Sequence, residues 1–434
     1  MGRRRLYARL RVLQNDRLLG HLDKDPGGAI AFRYDPTWLA AREPVPVSLS
    51  LPLREEAYRG ASVAAVFENL LPDSDRLRRL IAEKVGAEGT DAFNLLSRIG
   101  RDCVGALQFL ADDDEAQVFA TPVVDGEEID ERGIERLLGN LSRAPLGLDE
   151  DAGFRISMAG AQEKTALLWH EGRWLKPHGT TPTTHIFKPP IGTLQNGIDL
   201  SNSVENEYYC LKLLAAFALP VGTAEILTFG KTRALVIERF DRRWTNDGSL
   251  LRLPQEDLCQ ALSCPPTRKY QSEGGPGMVD ILKLLKASDT PENDQTAFLK
   301  AQVLFWLIGA TDGHAKNFSV FLGPRGAFGL TPLYDVLTSQ PSLVARQIER
   351  KQMKLAMSVG TGRHYRADEI LGRHFVQTAE DAGLPGSLAS GVLADVAGRA
   401  ESAMEALAKQ LPKQFPREIH DAVLKGMNSR LRTI

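Results

Sequence analysis

A short polar loop between two apolar segments constrains the fold of this chain most strongly. The loop runs from Gly309 to Asn317 and contains Asp312. The apolar residues 298–308 before it predict a buried helix, and residues 318–322 after it predict a buried strand. An aspartate followed five positions later by an asparagine, on a loop fixed between buried elements, is the spacing of a protein-kinase catalytic loop. In such loops the aspartate accepts the proton of the substrate hydroxyl and the asparagine holds magnesium.

Length and composition limit the possible classes of protein. A chain of 434 residues exceeds what one hydrophobic core usually serves, so we expect two or three subdomains. The formal net charge of −2 argues against nucleic-acid binding by bulk electrostatics. No apolar run approaches the length of a transmembrane helix, and the amino terminus lacks the apolar core of a signal peptide, so we expect a cytoplasmic protein. The cysteines are predicted to be buried reduced thiols rather than zinc ligands.

Changes in residue pattern divide the chain into four regions. Residues 1–110 predict an N-terminal β-rich subdomain, with strands around the turns at 16 and 25–28 and a helix that Asp73 or Ser74 caps. Residues 111–150 predict a linker with a short helix. Residues 151–254 predict a kinase N-lobe with a phosphate loop and a hinge, and residues 255–434 a helical C-lobe with the catalytic loop. The predicted fold is α+β, two-lobed and protein-kinase-like, with an all-helical C-terminal lobe.

A loop of small residues before the predicted strand 165–168 is the candidate phosphate loop. Small side chains let backbone N–H groups approach phosphate closely. The sequence is neither the glycine-rich kinase motif nor a Walker loop, so an ordinary tight turn remains an alternative. The candidate residues are Ala159, Gly160, Ala161, Gln162, Glu163 and Lys164.

A lysine and a glutamate are candidates for the ion pair that holds ATP phosphates in kinases. Lys188 ends a short apolar strand, where the alternative is a surface side chain with its amine in water. Glu207 follows nineteen residues later, on the apolar stripe of a predicted helix over 204–218. A carboxylate on a buried stripe is costly without a partner, so Glu207 is a better candidate than Glu205, which is predicted to lie on the exposed side.

Asn317 and Asp335 are the candidate metal ligands. Asp335 follows the strand-like residues 329–334, so its side chain is predicted to reach the same pocket as the catalytic loop. Magnesium takes few protein ligands and keeps water and phosphate oxygens, and one carboxylate with one amide fits that habit. The alternative is that Asp335 caps a helix over 336–338.

Together these segments resemble the HipA family of bacterial serine/threonine kinases, the toxins of HipA/HipB-type toxin–antitoxin pairs. The likeness covers nearly the whole chain. There is no D-F-G or A-P-E motif, and His314 stands where eukaryotic kinases usually have a lysine, which is normal for this family. The motifs that carry the resemblance lie at 48–53, 67–74, 99–102, 154–164, 238–242, 253–257 and 309–317.

The resemblance implies roles for individual residues. Asp312 would be the catalytic base, Asn317 and Asp335 would bind magnesium, and Glu207 would position the lysine. Ser157 would be autophosphorylated, which would expel the phosphate loop, since added negative charge opposes closure on ATP. The implied ATP-binding residues are the loop 159–164, Lys188, the hinge residues Glu238, Arg239 and Phe240, and also His314 and Tyr334.

The resemblance also implies an activity and partners. The expected activity is an ATP- and Mg-dependent serine/threonine protein kinase that inhibits growth, with a substrate among translation components such as glutamyl-tRNA synthetase. The expected partner is a HipB-like helix-turn-helix antitoxin dimer that connects the kinase to operator DNA as co-repressor. Two alternatives are a small-molecule kinase and a catalytically silent co-repressor. Residues 255–257 (Gln-Glu-Asp) predict either a helix cap or a lobe-positioning network.

Overall fold

The computed structural model describes residues 8–111, 124–148, 155–160 and 162–434. Its internal contacts divide the chain into two compact units. The first draws on the described residues up to Pro189, together with Leu227–Thr267 and Val320–Phe328. The second comprises Pro190–Ile226, Arg268–Ser319 and Gly329–Ile434.

The described residues contain both helices and strands, largely in separate runs, as is typical of an α+β fold. The helices are α1 (Pro36–Leu39), α2 (Ala61–Glu68), α3 (Asp75–Val85), α4 (Ala92–Ile99), α5 (Glu131–Gly139), α6 (Ser203–Ala216), α7 (Leu258–Ala261), α8 (Met278–Leu285), α9 (Pro291–Ile308), α10 (Gln340–Val344), α11 (Gly372–Asp381), α12 (Gly386–Gln410) and α13 (Arg417–Leu431). The strands are β1 (Ala8–Gln14), β2 (Arg17–Lys24), β3 (Ile30–Tyr34), β4 (Tyr58–Arg59), β5 (Leu107–Ala111), β6 (Gly126–Glu128), β7 (Thr165–His170), β8 (Arg173–Pro177), β9 (His185–Lys188), β10 (Gly192–Thr193), β11 (Asp199–Leu200), β12 (Ala224–Phe229), β13 (Thr232–Glu238), β14 (Arg242–Trp244), β15 (Leu250–Arg252), β16 (Gln255–Asp257), β17 (Ser319–Leu322), β18 (Phe328–Leu330), β19 (Lys354–Val359) and β20 (His364–Arg366).

The first unit begins with an antiparallel sheet in the order β4-β3-β2-β1-β5. Asn15 and Asp16 join β1 to β2 with φ angles of 48° and 60°, as a tight two-residue hairpin turn requires. The sequence pattern indicated strands on either side of 16 and 25–28 but not the intervening β2. The predicted helix after residue 74 is confirmed as α3, and the Ser74 hydroxyl accepts a hydrogen bond from the Leu77 N–H at 3.3 Å.

A second sheet of the first unit has the order β12-β13-β9-β7-β8-β6. Its edge strand β6 and the helix α5 both come from the segment that the sequence suggested was a linker. β6 pairs with β8, and Ile134 and Leu138 of α5 pack in one cluster with Leu167 and Phe187. This segment therefore belongs to the sheet, because its apolar residues complete the core on one face.

Two aspartates and three arginines form a buried network within the first unit, here called the ionic cluster: Asp102, Arg239, Asp241, Arg242 and Arg252. Asp102 lies 3.1 Å from Arg239, 2.8 Å from Arg242 and 3.1 Å from Arg252. Burial alone would raise the pKa of the Asp102 carboxyl, but the three guanidinium charges outweigh it and hold that pKa well below its usual range. The cluster thus joins the segment after α4 to the strands that follow β13.

The second unit is mainly helical. Its central helix α9 is buried from Phe298 to Ile308, as the sequence predicted. The helices α6, α8, α12 and α13 contact α9 or one another. The prediction of an all-helical region after 255 needs correction, because β16 to β18 pair in one small sheet and β19 and β20 form a hairpin. β17 confirms the buried strand predicted over 318–322, whereas β16 and β20 have three residues each, too few to give a clear alternating pattern.

The predicted state of the cysteines is confirmed. All four, at 103, 210, 259 and 264, are buried and free of disulfide bonds. Among the described residues, no group of three or more His, Cys, Asp or Glu side chains is arranged to hold a metal ion. Within the same residues no helix combines the length and apolarity needed to cross a membrane.

Candidate active site

Two glycines shape the loop that carries Asp312. Gly309 ends α9 with φ of 71°, a left-handed conformation that favours glycine. A Cβ atom at Gly309 would lie 2.6 Å from the Met353 methyl carbon, and one at Gly313 would lie 2.5 Å from the Phe305 ring. No side chain larger than that of glycine would therefore fit at these two positions. This close packing fixes the backbone of the loop after the helix.

The Asp312 side chain is presented outward from this loop. It is 61% exposed, whereas His314 is buried. The Tyr270 hydroxyl donates a hydrogen bond to Asp312 Oδ1 at 2.5 Å, and His314 Nε2 lies 3.9 Å from the same oxygen. An accessible carboxylate on a fixed loop is the arrangement that a general base requires.

Asn317 and Asp335 come together in the second unit. The Asn317 side-chain amide donates to Asp335 Oδ2 at 3.2 Å. Asn317 is 4% exposed, and its Oδ1 is buried without a hydrogen-bond partner in the described part of the chain. A buried amide oxygen beside a carboxylate is a ligand pair that suits a hard cation such as magnesium, so these residues fit the metal that the fold family implies.

Asp335 has an unusual backbone. Its φ is 58°, a left-handed conformation that is costly for most residues other than glycine, asparagine and aspartate. Aspartate adopts this conformation at lower cost than most residues, and neighbouring contacts hold the segment in place. The Tyr334 hydroxyl supplies one such contact by donating to the Lys316 carbonyl at 3.1 Å. The alternative of a helix directly after Asp335 is wrong, because α10 begins only at Gln340.

Ser157 lies at the base of the candidate phosphate loop. Its side chain is fully buried, and its hydroxyl donates to the Leu70 carbonyl at 2.8 Å. Its backbone N–H donates to the Asp102 carbonyl at 3.0 Å. In this conformation the Ser157 hydroxyl is closed off from solvent, so any modification requires the segment to leave its place.

The rest of the loop is held by backbone contacts to residues 72–73. The Asp73 N–H donates to the Gly160 carbonyl at 3.2 Å, and Gly160 has a φ of 103°. The Lys164 amine donates to the Ala159 carbonyl at 2.8 Å, so it folds back across the loop. Gln162 donates to the Pro189 carbonyl at 3.2 Å, and Glu163 is exposed. The predicted contact Ala161 lies outside the described residues.

Lys188 and Glu207 are both buried, with exposures of 5% and 1%. The alternative of Lys188 as a surface lysine is therefore wrong. Lys188 pairs with Leu235 across β9 and β13, in the first unit, and Glu207 lies on α6, in the second. The expectation for Glu205 is also wrong, because Glu205 is only 6% exposed and shares the buried part of α6. The ion pair of Lys188 with Glu207 stays a prediction.

The hinge residues differ in their surroundings. Glu238 is exposed at the end of β13, and the Phe240 ring packs edge-on against Phe321 at 5.8 Å. The Arg239 guanidinium instead donates to Asp102, Asp241 and the Cys103 carbonyl within the ionic cluster. Its backbone N–H donates to the Thr184 carbonyl. The Arg239 side chain therefore has a structural role, and the nucleotide contact of this residue stays a prediction.

The helix cap predicted at 255–257 is confirmed, and the lobe-positioning network stays a prediction. Asp257 caps α7 in a reciprocal arrangement with Gln260. Glu256 accepts a hydrogen bond from the Leu49 N–H at 2.7 Å, which connects the segment to the N-terminal subdomain. Burial raises the pKa of Glu256 to about 8, so this carboxyl is largely protonated at neutral pH.

Sequence reasoning missed Tyr270 and the ionic cluster. Tyr270 lies in a polar, glycine-rich segment with no helical or strand period, so no pattern placed it beside Asp312. The arginines of the ionic cluster are scattered between 239 and 252, and only the fold brings them to Asp102. Arg239 and Arg242 did lie within the motif at 238–242, which was the one indication in the sequence that these arginines matter.

Two family profiles match this chain. The HipA N-terminal domain matches residues 10–110, and the HipA-like C-terminal domain matches residues 156–404. Together they span most of both units.

Relatives and solved structures point the same way. "Putative kinase Y4mE" of Sinorhizobium fredii is 38% identical over 76% of this chain and 77% of its own length. "Serine/threonine-protein kinase toxin HipA" of Shewanella oneidensis is 26% identical over 92% of this chain and 88% of its own. The structure of Shewanella oneidensis HipA with HipB and operator DNA matches with a TM-score of 0.79 and 23% identity, covering 98% of this chain and 97% of that one.

Proposed function

This chain belongs to the HipA family of serine/threonine kinases, and we propose that it acts in the cytoplasm as the toxin of a toxin–antitoxin pair. It would transfer the γ-phosphoryl group of ATP to a serine or threonine of a translation component, with glutamyl-tRNA synthetase as the first candidate. Growth would stop because a blocked synthetase starves translation.

The observation that carries this proposal is the arrangement of Asp312, Asn317 and Asp335. Phosphoryl transfer requires that the phosphates are held, that their charge is neutralised and that the nucleophile is aligned. It needs little covalent chemistry from the protein. Asp312 is accessible to a substrate hydroxyl and can accept its proton. The Asn317 amide oxygen and the Asp335 carboxylate would hold magnesium, which would neutralise the charge of the phosphates when ATP is bound.

Other residues would bind and orient ATP. The backbone of the loop 159–164 would face the phosphates, and Lys188 would add a positive charge that Glu207 holds in place. The exposed end of β13 at Glu238 and the Phe240 segment would receive the adenine. The Tyr334 hydroxyl contact to Lys316 would keep Asp335 in its left-handed conformation.

We also propose that phosphorylation of Ser157 silences the enzyme. The buried hydroxyl bonded to the Leu70 carbonyl supports this, because a phosphate adds nearly two negative charges and cannot fit where that hydroxyl lies. The modified segment would leave residues 69–74, and the loop that depends on it would lose its shape.

The partner would be a HipB-like helix-turn-helix antitoxin dimer, through which the kinase acts as co-repressor on operator DNA. Support comes from the related Shewanella oneidensis HipA, whose solved structure contains HipB and operator DNA. The net charge of −2 is consistent with DNA contact made mainly through such a partner.

The test is phosphate transfer to purified glutamyl-tRNA synthetase from radiolabelled Mg-ATP. Asp335→Asn is the informative variant, because asparagine tolerates the left-handed backbone while losing the negative charge. We expect labelled synthetase with the wild type and with the exposed-site control Asp381→Asn, and little label with Asp335→Asn. A wild type that labels itself but not the synthetase would reject that substrate; equal labelling by Asp335→Asn would reject the metal assignment.

A further inference from the structure

We propose that Tyr270 is a positioning residue for the catalytic carboxylate, an inference that rests on the kinase function proposed above. Its hydroxyl donates to Asp312 Oδ1 at 2.5 Å. Its ring meets the His314 ring edge-on, with centroids 4.9 Å apart and planes at 83°. Tyr270 therefore contacts two side chains of the catalytic loop, Asp312 and His314.

Asp312 needs such a contact because it is exposed. A carboxylate that is 61% exposed would otherwise sample several rotamers in water. A general base works only when its oxygen is aligned with the proton that it takes, and misplacement by about an ångström can cost about a hundredfold in rate. The phenol holds one carboxylate oxygen, and the second then points in a defined direction toward a substrate hydroxyl.

The backbone around Tyr270 is built as a compact turn. The N–H groups of Glu273 and Gly275 both donate to the Tyr270 carbonyl, at 3.0 and 2.9 Å. A Cβ atom at Gly275 would lie 2.0 Å from the Arg268 carbonyl oxygen, so only glycine permits this closure. The turn thus fixes the direction in which the tyrosine leaves the backbone.

A side chain next to Tyr270 ties the turn to the strand β19. Gln271 Oε1 accepts hydrogen bonds from the Ser358 N–H at 2.6 Å and from the Ser358 hydroxyl at 3.0 Å. A Cβ atom at Gly277 would lie 2.3 Å from Gln271 Nε2, so the glutamine is also enclosed from the other side. A segment held in this way suits a fixed support for Asp312 rather than a gate that swings aside.

The test compares Tyr270→Phe, which removes only the hydroxyl, with the control Tyr365→Phe in the same unit, whose hydroxyl accepts a hydrogen bond from Arg363 at 3.4 Å. Three quantities are measured: the rate constant of phosphate incorporation at saturating Mg-ATP, the affinity for a non-hydrolysable ATP analogue, and Tm. We expect Tyr270→Phe to slow incorporation about ten- to a hundredfold, the value of one hydrogen bond to a charged group. Analogue affinity and Tm should stay at wild-type values, which a merely structural role would not give.

A second variant changes the support of Tyr270 and leaves the tyrosine itself intact. Gln271→Ala releases the tie to Ser358 and should lower the rate constant with unchanged analogue affinity. Wild-type rates in both variants would overturn the inference, and so would a faster rate in Tyr270→Phe, which would mark the tyrosine as an obstruction. If the wild type incorporated no phosphate, both the proposed function and this inference would be wrong. If the wild type were active and Tyr270→Phe were equally active, only this inference would be wrong.

Discussion

The ionic cluster and the catalytic loop use aspartate in opposite ways. Asp102 is almost fully buried and contacts three arginines, whereas the Asp312 side chain is 61% exposed and has a phenol on one oxygen. Burial and pairing make Asp102 a structural group whose negative charge compensates its neighbours. Exposure and a fixed backbone make Asp312 suitable as a general base. Two residues of one type thus differ in function because of what surrounds them.

The comparison also explains which variants should unfold the protein and which should only silence it. Removing a buried charge leaves its partners uncompensated in a low-dielectric interior. Removing an exposed carboxylate changes little in the folded state and much in the reaction.

The largest expected effect is on catalysis. Asp312→Gln should lower the rate of phosphate transfer about 10³-fold, within the range for loss of a general base, and leave the free energy of unfolding nearly unchanged. Radiolabel incorporation and urea denaturation of the same preparation measure the two quantities. If Asp312→Gln lost stability as well as activity, Asp312 would have a structural role like that of Asp102, which would contradict the comparison.

The next effect is on stability. Asp102→Asn should lower the free energy of unfolding by about 3–5 kcal/mol, because Asp241 is then the one carboxylate left in the ionic cluster to balance three buried guanidinium charges. The matched control is Asp23→Asn, which breaks the exposed pair with Arg9 and should cost no more than about 1 kcal/mol. Similar denaturation midpoints for the two variants would contradict the structural role of the cluster.

A pH effect distinguishes Asp102 from Glu256, a second buried carboxyl of the first unit. The pKa of Glu256 is raised from 4.5 to about 8 by burial, so between these values the unfolded chain releases a proton that the folded chain keeps. Stability from this group is therefore full below pH 4.5 and is lost as pH rises toward 8. Asp102 behaves oppositely, since its depressed pKa gives stability that is lost only on acidification.

Glu256→Gln should remove the loss of stability on the alkaline side. Urea denaturation at a series of pH values from slightly acidic to slightly alkaline should show a falling free energy of unfolding for the wild type and a flatter curve for the variant. Parallel curves would mean that Glu256 is ionised in the folded protein.

The smallest effect concerns the phosphate loop. Ser157→Ala removes the hydrogen bond to the Leu70 carbonyl and should cost about 1 kcal/mol of unfolding free energy. Ser97→Ala is a suitable control, because the Ser97 hydroxyl donates to the Asn94 carbonyl one turn back in its own helix, α4. A Ser157→Ala protein as stable as this control would show that the buried hydroxyl does not hold the loop.

Much of the site could be predicted from the sequence because its parts lie at fixed spacings. Asp312 and Asn317 are on one loop, and Asp335 follows a short strand, so local pattern placed them together. Glu205 was misjudged because a helical stripe cannot show that α6 is buried on more than one side. Tyr270 and Arg239 depend on contacts between distant segments, which no local period records.

The most direct test of the account is mass spectrometry of the purified, initially unmodified chain after incubation with Mg-ATP, with Asp312→Gln treated in parallel. Intact mass counts the phosphates added, and peptide analysis places them. We expect one phosphate on Ser157 of the wild type and none on the variant. Full phosphorylation of Asp312→Gln, or none on a well-folded wild type, would contradict it.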